Sequence, residues 1–183
     1  DDRAYAGGSC VQGRNVFLVG AISHNPEGNR QLLGMGIKRL PWGELTKEYE
    51  QLSEDDVVII PAFGAPTEFM NKLAERGVSI VDTTCGDVMK VWKRVRNYAD
   101  KGVTSIIHGK ASHEETMATS SRAMGDGDGK FLIVLTLEDC DYVCDYIRGK
   151  GNKEEFLTKF AKASSPGFDP DKDLLRVGIA NQT

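Results

Sequence analysis

The fold class follows from the apolar run Val57-Val58-Ile59-Ile60 and from the stretches around it. A strand that is apolar at every position is buried on both faces of its sheet, which is typical of parallel strands covered by helices. Similar short runs alternate with segments of helical apolar spacing along the chain. This alternation predicts an α/β protein built on small parallel sheets.

The pattern predicts six strands and six helices, and between Val16 and Val57 it is otherwise irregular. The strands are Val16–Gly20, Val57–Pro61, Val78–Asp82, Val103–His108, Phe131–Leu135 and Leu175–Ala180. The helices are Asn29–Met35, Thr67–Arg76, Val88–Asp100, Glu114–Met124, Leu137–Ile147 and Lys153–Ala163.

Composition excludes several classes of protein. The 183 residues are 40% hydrophobic and 27% charged, as in a globular protein with one large domain or two small ones. A net charge of −4 does not indicate a nucleic-acid-binding surface. No apolar run approaches the roughly 18 residues of a membrane span, so we expect a soluble protein. Four cysteines without disulfide-type spacing indicate a reducing compartment.

Polar residues follow the predicted strands, where the carboxyl ends of parallel strands form ligand sites. The segments after the strands are Ser23-His24-Asn25-Pro26, Ala62-Phe63-Gly64-Ala65, Asp82-Thr83-Thr84-Cys85-Gly86, His108-Gly109-Lys110-Ala111-Ser112-His113-Glu114-Glu115 and Asn181-Gln182-Thr183. All three histidines and one cysteine are therefore expected at such an edge.

Cys85 lies where a predicted strand turns into a helix. We expect the amide N–H groups and the positive helix end to favour its thiolate form. Three roles are open: a small core residue, a nucleophile, or a ligand of a metal or iron-sulfur cluster. A phosphatase-type nucleophile is disfavoured, because such loops carry an arginine where this chain has Val91.

The other cysteines give weaker indications. Cys140 and Cys144 are four residues apart in a predicted helix, with the spacing of core cysteines, and a metal-ligand role is disfavoured. Cys10 has no partner at a recognisable spacing and stays unassigned.

His113 and Glu115 lie two residues apart at a predicted strand-to-helix junction. An imidazole can donate to phosphate oxygens and a carboxyl group can transfer protons, while His24 and Asn25 offer a second set of donors. The alternative is structural: a hydrogen-bonded histidine, and acidic residues that complement the helix dipole.

Several motifs occur in an order that resembles one protein family. They are His24-Asn25-Pro26, Val57-Val58-Ile59-Ile60-Pro61-Ala62-Phe63-Gly64-Ala65, Val81-Asp82-Thr83-Thr84-Cys85, His113-Glu114-Glu115-Thr116, Gly167-Phe168-Asp169-Pro170-Asp171 and Val177-Gly178-Ile179-Ala180-Asn181-Gln182-Thr183. Together they resemble the LytB/IspH family, and the later motifs look like its plant and cyanobacterial branch.

The resemblance implies a 4-hydroxy-3-methylbut-2-enyl diphosphate reductase of the non-mevalonate isoprenoid pathway. Such an enzyme removes the hydroxyl group of its substrate as water and forms isopentenyl and dimethylallyl diphosphate. The family implies an oxygen-sensitive [4Fe-4S] cluster on three cysteines. It also implies an electron donor such as ferredoxin or flavodoxin, and a location in a bacterial cytoplasm or a plastid stroma.

Matched residue by residue, the resemblance gives each candidate a role. Cys85 is a cluster ligand, and His24 and His113 bind the diphosphate. Glu115 is the catalytic proton-relay acid, and Thr183 lies beside the substrate. The family's usual Cys-Pro is Cys85-Gly86 here.

The family's other two cluster cysteines have no match in this chain. One belongs to a Gly-Phe-Cys segment before the His-Asn-Pro motif, and the other lies beyond the Asn-Gln-Thr motif. We therefore expect a fragment of a pseudo-threefold architecture whose third unit is missing, and no activity from the fragment alone. The expected parts are a loosely ordered start at 1–15, an α/β unit at 16–85 and a second at 86–183.

Two other functions stay open. One is a diphosphate-binding regulatory module without redox activity, and the other is a thiol-dependent transferase that uses Cys85. Uptake of iron distinguishes the reductase from both.

Overall fold

The computed structural model describes residues 13–22, 25–42 and 47–182, and these form two compact α/β units, with the chain divided between Val88 and Met89. The first contains β1 (Val16–Val19), α1 (Pro26–Gly34), β2 (Lys38–Leu40), α2 (Lys47–Glu50), β3 (Val57–Ile60), α3 (Thr67–Glu75), β4 (Ser79–Asp82) and the start of α4 (Gly86–Asp100). The second contains the rest of α4 and β5 (Thr104–His108), α5 (Glu114–Ala123), β6 (Phe131–Val134), α6 (Leu137–Ile147), α7 (Lys153–Lys159), α8 (Pro170–Asp173) and β7 (Val177–Asn181).

The first unit is built on a parallel sheet of order β2-β1-β3-β4. All four residues of β3 are buried, as the apolar run predicts. On one face, Ile59 packs with Leu32 of α1. On the other face, Val58 and Ile60 belong to one cluster with residues of α2 and α3. The sheet is therefore covered by helices on both sides.

The second unit repeats this plan with a parallel sheet of order β6-β5-β7. Helices α4 and α5 cover one face through Val95 and Ala123, which pack with Ile107 of β5. The segment from α6 to α8 covers the other face, where Phe156 lies in a cluster with Leu132 of β6. The predicted α/β class with small parallel sheets is confirmed.

The prediction of six strands is wrong, because the described residues contain a seventh, β2. This strand has three residues at the edge of its sheet, and Lys38 and Arg39 are exposed. An edge strand with two charged positions carries no apolar periodicity, so the pattern could not indicate it.

Two helices differ from the prediction by three residues or more at one end. Helix α1 begins at Pro26 rather than Asn29, with Asn25 as N-cap and proline in the first turn. Helix α7 ends at Lys159 rather than Ala163, because the following segment runs beside β6, where the Ile133 N–H donates to the Ala163 carbonyl at 2.6 Å. The sequence pattern predicts neither of the short helices α2 and α8, so the prediction of six helices is also wrong.

Among the described residues, none of the helices has both the length and the apolar character needed to cross a bilayer. The predicted loose start at 1–15 falls almost wholly outside the described residues, which begin at residue 13.

Candidate functional site

The carboxyl ends of β5 and β7 are joined by a polar network. Asn181 Oδ1 lies 2.6 Å from His108 Nδ1, and the Asn181 amide donates to the Gln182 carbonyl at 2.6 Å. Because an amide oxygen only accepts, His108 Nδ1 carries the proton in this pair. The Gln182 N–H donates to the His108 carbonyl at 2.9 Å, so the residues after β7 are held against the end of β5.

The same network reaches the first turn of α5. Thr116 Oγ1, which is fully buried, donates to Gln182 Oε1 at 2.9 Å. A Cβ atom on Gly109 would lie 2.7 Å from Thr116 Oγ1 and 2.8 Å from Gln182 Oε1. This close approach requires glycine at position 109, since any side chain would separate the two partners.

His113 and Glu115 occupy the start of α5. His113 is the N-cap residue, and its Nδ1 accepts the Glu115 N–H at 3.2 Å. In a neutral ring the proton then lies on Nε2, which is the tautomer that can donate to an anion. Glu115 is only 3% exposed, so its carboxyl group is among the few buried acidic groups of the described residues.

The structure thus places His108 at the carboxyl end of β5, and His113 and Glu115 at the start of the helix that follows it. Thr183 follows Gln182 directly but lies outside the described residues, as do His24 and Cys10. The roles assigned to His24, His113, Glu115 and Thr183 stay predictions.

Cys85 ends the loop between β4 and α4 in the first unit. Its N–H donates to the Ala62 carbonyl at 2.9 Å, and the Thr84 N–H donates to Asp82 Oδ1 at 2.9 Å. The Cys85 side chain is exposed. The alternative of a buried core cysteine is therefore wrong, and the thiol is open to a ligand or a reagent.

The two cysteines of α6 differ from each other. Cys140 is half-buried against the aromatic cluster of the second unit, as a core cysteine would be. Burial raises the pKa of its thiol, and the negative charges near it, those of Cys144, Asp139 and Asp141, act in the same direction. Cys144 is exposed, so its prediction as a core residue is wrong. It lies on the solvent side of α6.

The part of the chain that the structure describes holds no cluster of three or more histidine, cysteine or acidic side chains arranged for a metal ion. Cys85 can supply one thiolate to an iron-sulfur cluster, but the described residues do not form a complete ligand set.

Sequence reasoning missed the pairing of Thr116 with Gln182. Gln182 was recognised only as part of the polar segment after the last strand. Thr116 gave a weak signal: with Thr119 and Ser120 it makes the inward face of α5 polar where a packed helix would be apolar.

Comparisons with known proteins identify the family of this chain. A model of the LytB protein family matches residues 6–183. The 4-hydroxy-3-methylbut-2-enyl diphosphate reductases of Synechococcus sp. (strain RCC307) and Prochlorococcus marinus (strain MIT 9301) are 51% and 52% identical to this chain. Each alignment covers 92% of this chain but only 40% and 41% of the two relatives. The chain thus spans about two fifths of the length of these relatives.

Two solved structures share the fold. A structure of (E)-4-hydroxy-3-methyl-but-2-enyl diphosphate reductase has a TM-score of 0.66 at 24% identity, covering 98% of this chain and 60% of that one. The reductase structure from Plasmodium falciparum has a TM-score of 0.57 at 17% identity, covering 92% and 56%. With a family match over residues 6–183, this chain belongs to the LytB protein family.

Proposed function

We propose that this chain is part of a 4-hydroxy-3-methylbut-2-enyl diphosphate reductase. The supporting observation is the start of α5, where the cap of His113 and the buried Glu115 carboxyl lie two residues apart. The sequence identity of about half to relatives with this name supports the same reaction.

The reaction breaks one carbon–oxygen bond. Two electrons and two protons replace the hydroxyl group of the substrate with hydrogen and release the oxygen as water. A [4Fe-4S] cluster, when bound, supplies the electrons and a Lewis-acidic iron for the hydroxyl oxygen. Cys85 would hold it together with two cysteines from outside this chain, and a ferredoxin or flavodoxin would reduce it.

His113 binds the diphosphate in this proposal. Its Nδ1 accepts the Glu115 N–H, so in a neutral ring the proton lies on Nε2, and Nε2–H is the group that would donate to a phosphate oxygen. The adjacent end of α5 adds the positive end of a helix dipole, so negative charge is favoured at the same place. His24 would supply a second donor from the loop after β1.

Glu115 transfers a proton to the leaving hydroxyl oxygen. General acid catalysis of this kind contributes about 10²- to 10⁴-fold to a rate. Thr183 would lie beside the substrate, since it follows Gln182, which is held by Thr116 and by the end of β5. The polar network fixes the position of Gln182 relative to the first turn of α5, which carries Glu115.

The test uses a version of the protein with the full length of the relatives, purified without oxygen. Glu115→Gln should lower kcat at least about 100-fold while iron content and KM change little. Glu114→Gln, one residue away in the same turn, is the matched control and should keep its activity. His113→Asn keeps a side-chain acceptor for the helix cap and should raise KM.

Three results would contradict the proposal. A long version that never takes up iron favours a regulatory module. Turnover without iron that is abolished by alkylation of Cys85 favours a thiol-dependent transferase. Turnover by the 183-residue chain alone would show that the reaction does not need cluster cysteines from outside this chain, contrary to the proposal.

A further inference from the structure

A cavity of about 550 Å³ lies in the second unit, beside the first turn of α5. Its walls are largely apolar. They come from Ile133 and Leu135 at the end of β6, Met117 of α5, and Phe160 and Ala163 after α7. Its volume falls within the range of about 300–1,000 Å³ that is usual for small-molecule sites.

Three lysines line the same cavity. Lys159 is neutralised, because its Nζ lies 2.8 Å from Asp139 Oδ1 and 5.4 Å from the centre of the Phe160 ring. Lys110 and Lys162 make no ion pair or side-chain hydrogen bond within the described part of the chain, and both are exposed. Two positive charges at this cavity are therefore uncompensated.

These charges come from different walls. Lys110 belongs to the loop after β5, and Lys162 to the segment that runs beside β6. An anion bound at this cavity would be attracted by both ammonium groups, since the two lysines line it from different walls. Ser112 adds a hydroxyl group at the wall of Lys110, and it too has no hydrogen bond within the described part of the chain.

The cavity is separate from the polar network of His108, Asn181 and Gln182. That network lies between β5 and β7, whereas the cavity extends from the loop after β5 to β6 and the residues after α7; Gly109 borders both. Neither His113 nor Glu115 lines it.

We propose that this cavity binds an alkyl phosphate: a phosphate group between Lys110 and Lys162, and a short apolar chain against Ile133, Met117 and Phe160. The dianionic head matches two uncompensated ammonium groups, and the apolar walls bury the chain. The site is a second, regulatory or accessory ligand site, and it does not depend on the reductase activity proposed above.

The test is a titration of the 183-residue chain with inorganic phosphate and with ethyl, butyl and hexyl phosphate, followed by NMR. The affinity should rise about threefold to fourfold for each added CH₂ group, and the Ile133 and Met117 methyl signals should shift. Hexanoate, with one negative charge, should bind at least about tenfold more weakly than hexyl phosphate.

Substitutions locate the head group. Lys110→Met combined with Lys162→Met should weaken hexyl phosphate at least about tenfold. The matched control combines Lys93→Met with Lys101→Met, which removes the same charge from exposed positions of the same unit that do not line the cavity, and it should have no effect.

Several outcomes would overturn the proposal. An affinity that does not depend on chain length shows that the apolar walls are not used. An equal loss in both double variants shows nonspecific attraction to lysines. If only the signals of His113 and Glu115 shift, the anion binds at another site. If hexanoate binds as tightly as hexyl phosphate, the cavity does not select a phosphate group.

Discussion

The Thr116 hydroxyl donates to Gln182 Oε1 at 2.9 Å across 66 residues of sequence. This bond joins the first turn of α5 to the segment after β7. Gly109 makes it possible, because the backbone of residue 109 passes where a side chain would separate the two groups. A loop, a helix and a strand end are thereby fixed in one place, beside His113 and Glu115.

Thr116→Val should remove this bond with little change in volume. The Gln182 oxygen then loses its donor in a partly buried position, and we expect a loss of about 1–2 kcal/mol in the free energy of unfolding. Urea unfolding of the 183-residue chain measures it. Thr119→Val, one turn later and also buried, is the matched control, since the Thr119 side chain makes no hydrogen bond within the described residues. Equal losses in both variants would mean that the hydrogen bond of Thr116 does not itself contribute to the free energy of unfolding.

Gly109→Ala should lower the free energy of unfolding more than the addition of one methyl group usually does. The added Cβ would lie under 3 Å from both Thr116 Oγ1 and Gln182 Oε1, so one of them must move. We expect a loss of about 1–3 kcal/mol in unfolding free energy, and altered amide signals of Gln182. Gly34→Ala is the control: it lies in α1 with no heavy atom within 4 Å, and should be neutral or stabilising. A stable Gly109→Ala protein with unchanged Gln182 signals would contradict the close approach.

The sheets were predictable where strands are buried on both faces. Val57 to Ile60 are apolar at every position because helices cover both sides of β3. The sequence alone therefore indicates that this strand is buried. The edge strand β2 has no such constraint. Its pairing with β1 depends on backbone hydrogen bonds, which Lys38 and Arg39 form as well as any other residue.

The candidate site was predictable only in part, for a similar reason. The position of His108, His113 and Glu115 follows from strand ends and from the topology of parallel sheets. The partner of each side chain does not, because Thr116 and Gln182 meet only after α5 and β7 pack on β5. The exposure of Cys85 likewise depends on the loop geometry that the Ala62 carbonyl and Asp82 impose, and not on residue type.

Gly86→Pro should stabilise the first turn of α4. Gly86 is the first residue of this helix, and a Cβ atom there would meet nothing within 4 Å. Proline fits the first helical position and restricts the unfolded chain, so we expect a gain of about 0.4–1 kcal/mol in unfolding free energy. Gly86→Ala should give a smaller gain, because it lacks the ring. A destabilised proline variant would show that the loop at Cys85 needs the freedom of glycine.

The cysteines should react with iodoacetamide in the order of their exposure. Cys85 and Cys144 are exposed, whereas Cys140 is half-buried and the pKa of its thiol is raised by burial. Under reducing, native conditions we expect Cys140 to react at least about tenfold more slowly, as measured by mass spectrometry of peptides. In urea the difference should disappear. A slow Cys85 in the native chain would mean that its thiol is not available as a cluster ligand in the way we propose.

Lys153→Met should weaken the second unit in a manner that depends on pH. The Lys153 ammonium lies 2.9 Å from Asp171 Oδ2 and also pairs with Asp169. Its hydrogen bonds lower the pKa of both carboxyl groups. A carboxyl group whose pKa is lower in the folded state stabilises the fold above its unfolded pKa of about 4, and this contribution is lost as the pH falls through the folded value.

Urea midpoints at pH 7, 5 and 3 measure this effect. The gap between the wild-type chain and Lys153→Met should be full at pH 7 and 5 and should shrink at pH 3, as both carboxylates become protonated. Lys150→Met is the control, because Lys150 Nζ lies 3.5 Å from Asp145 in an exposed pair, and such pairs contribute little. If the gap stays constant down to pH 3, Lys153 acts through the packing of its methylene groups and not through its charge.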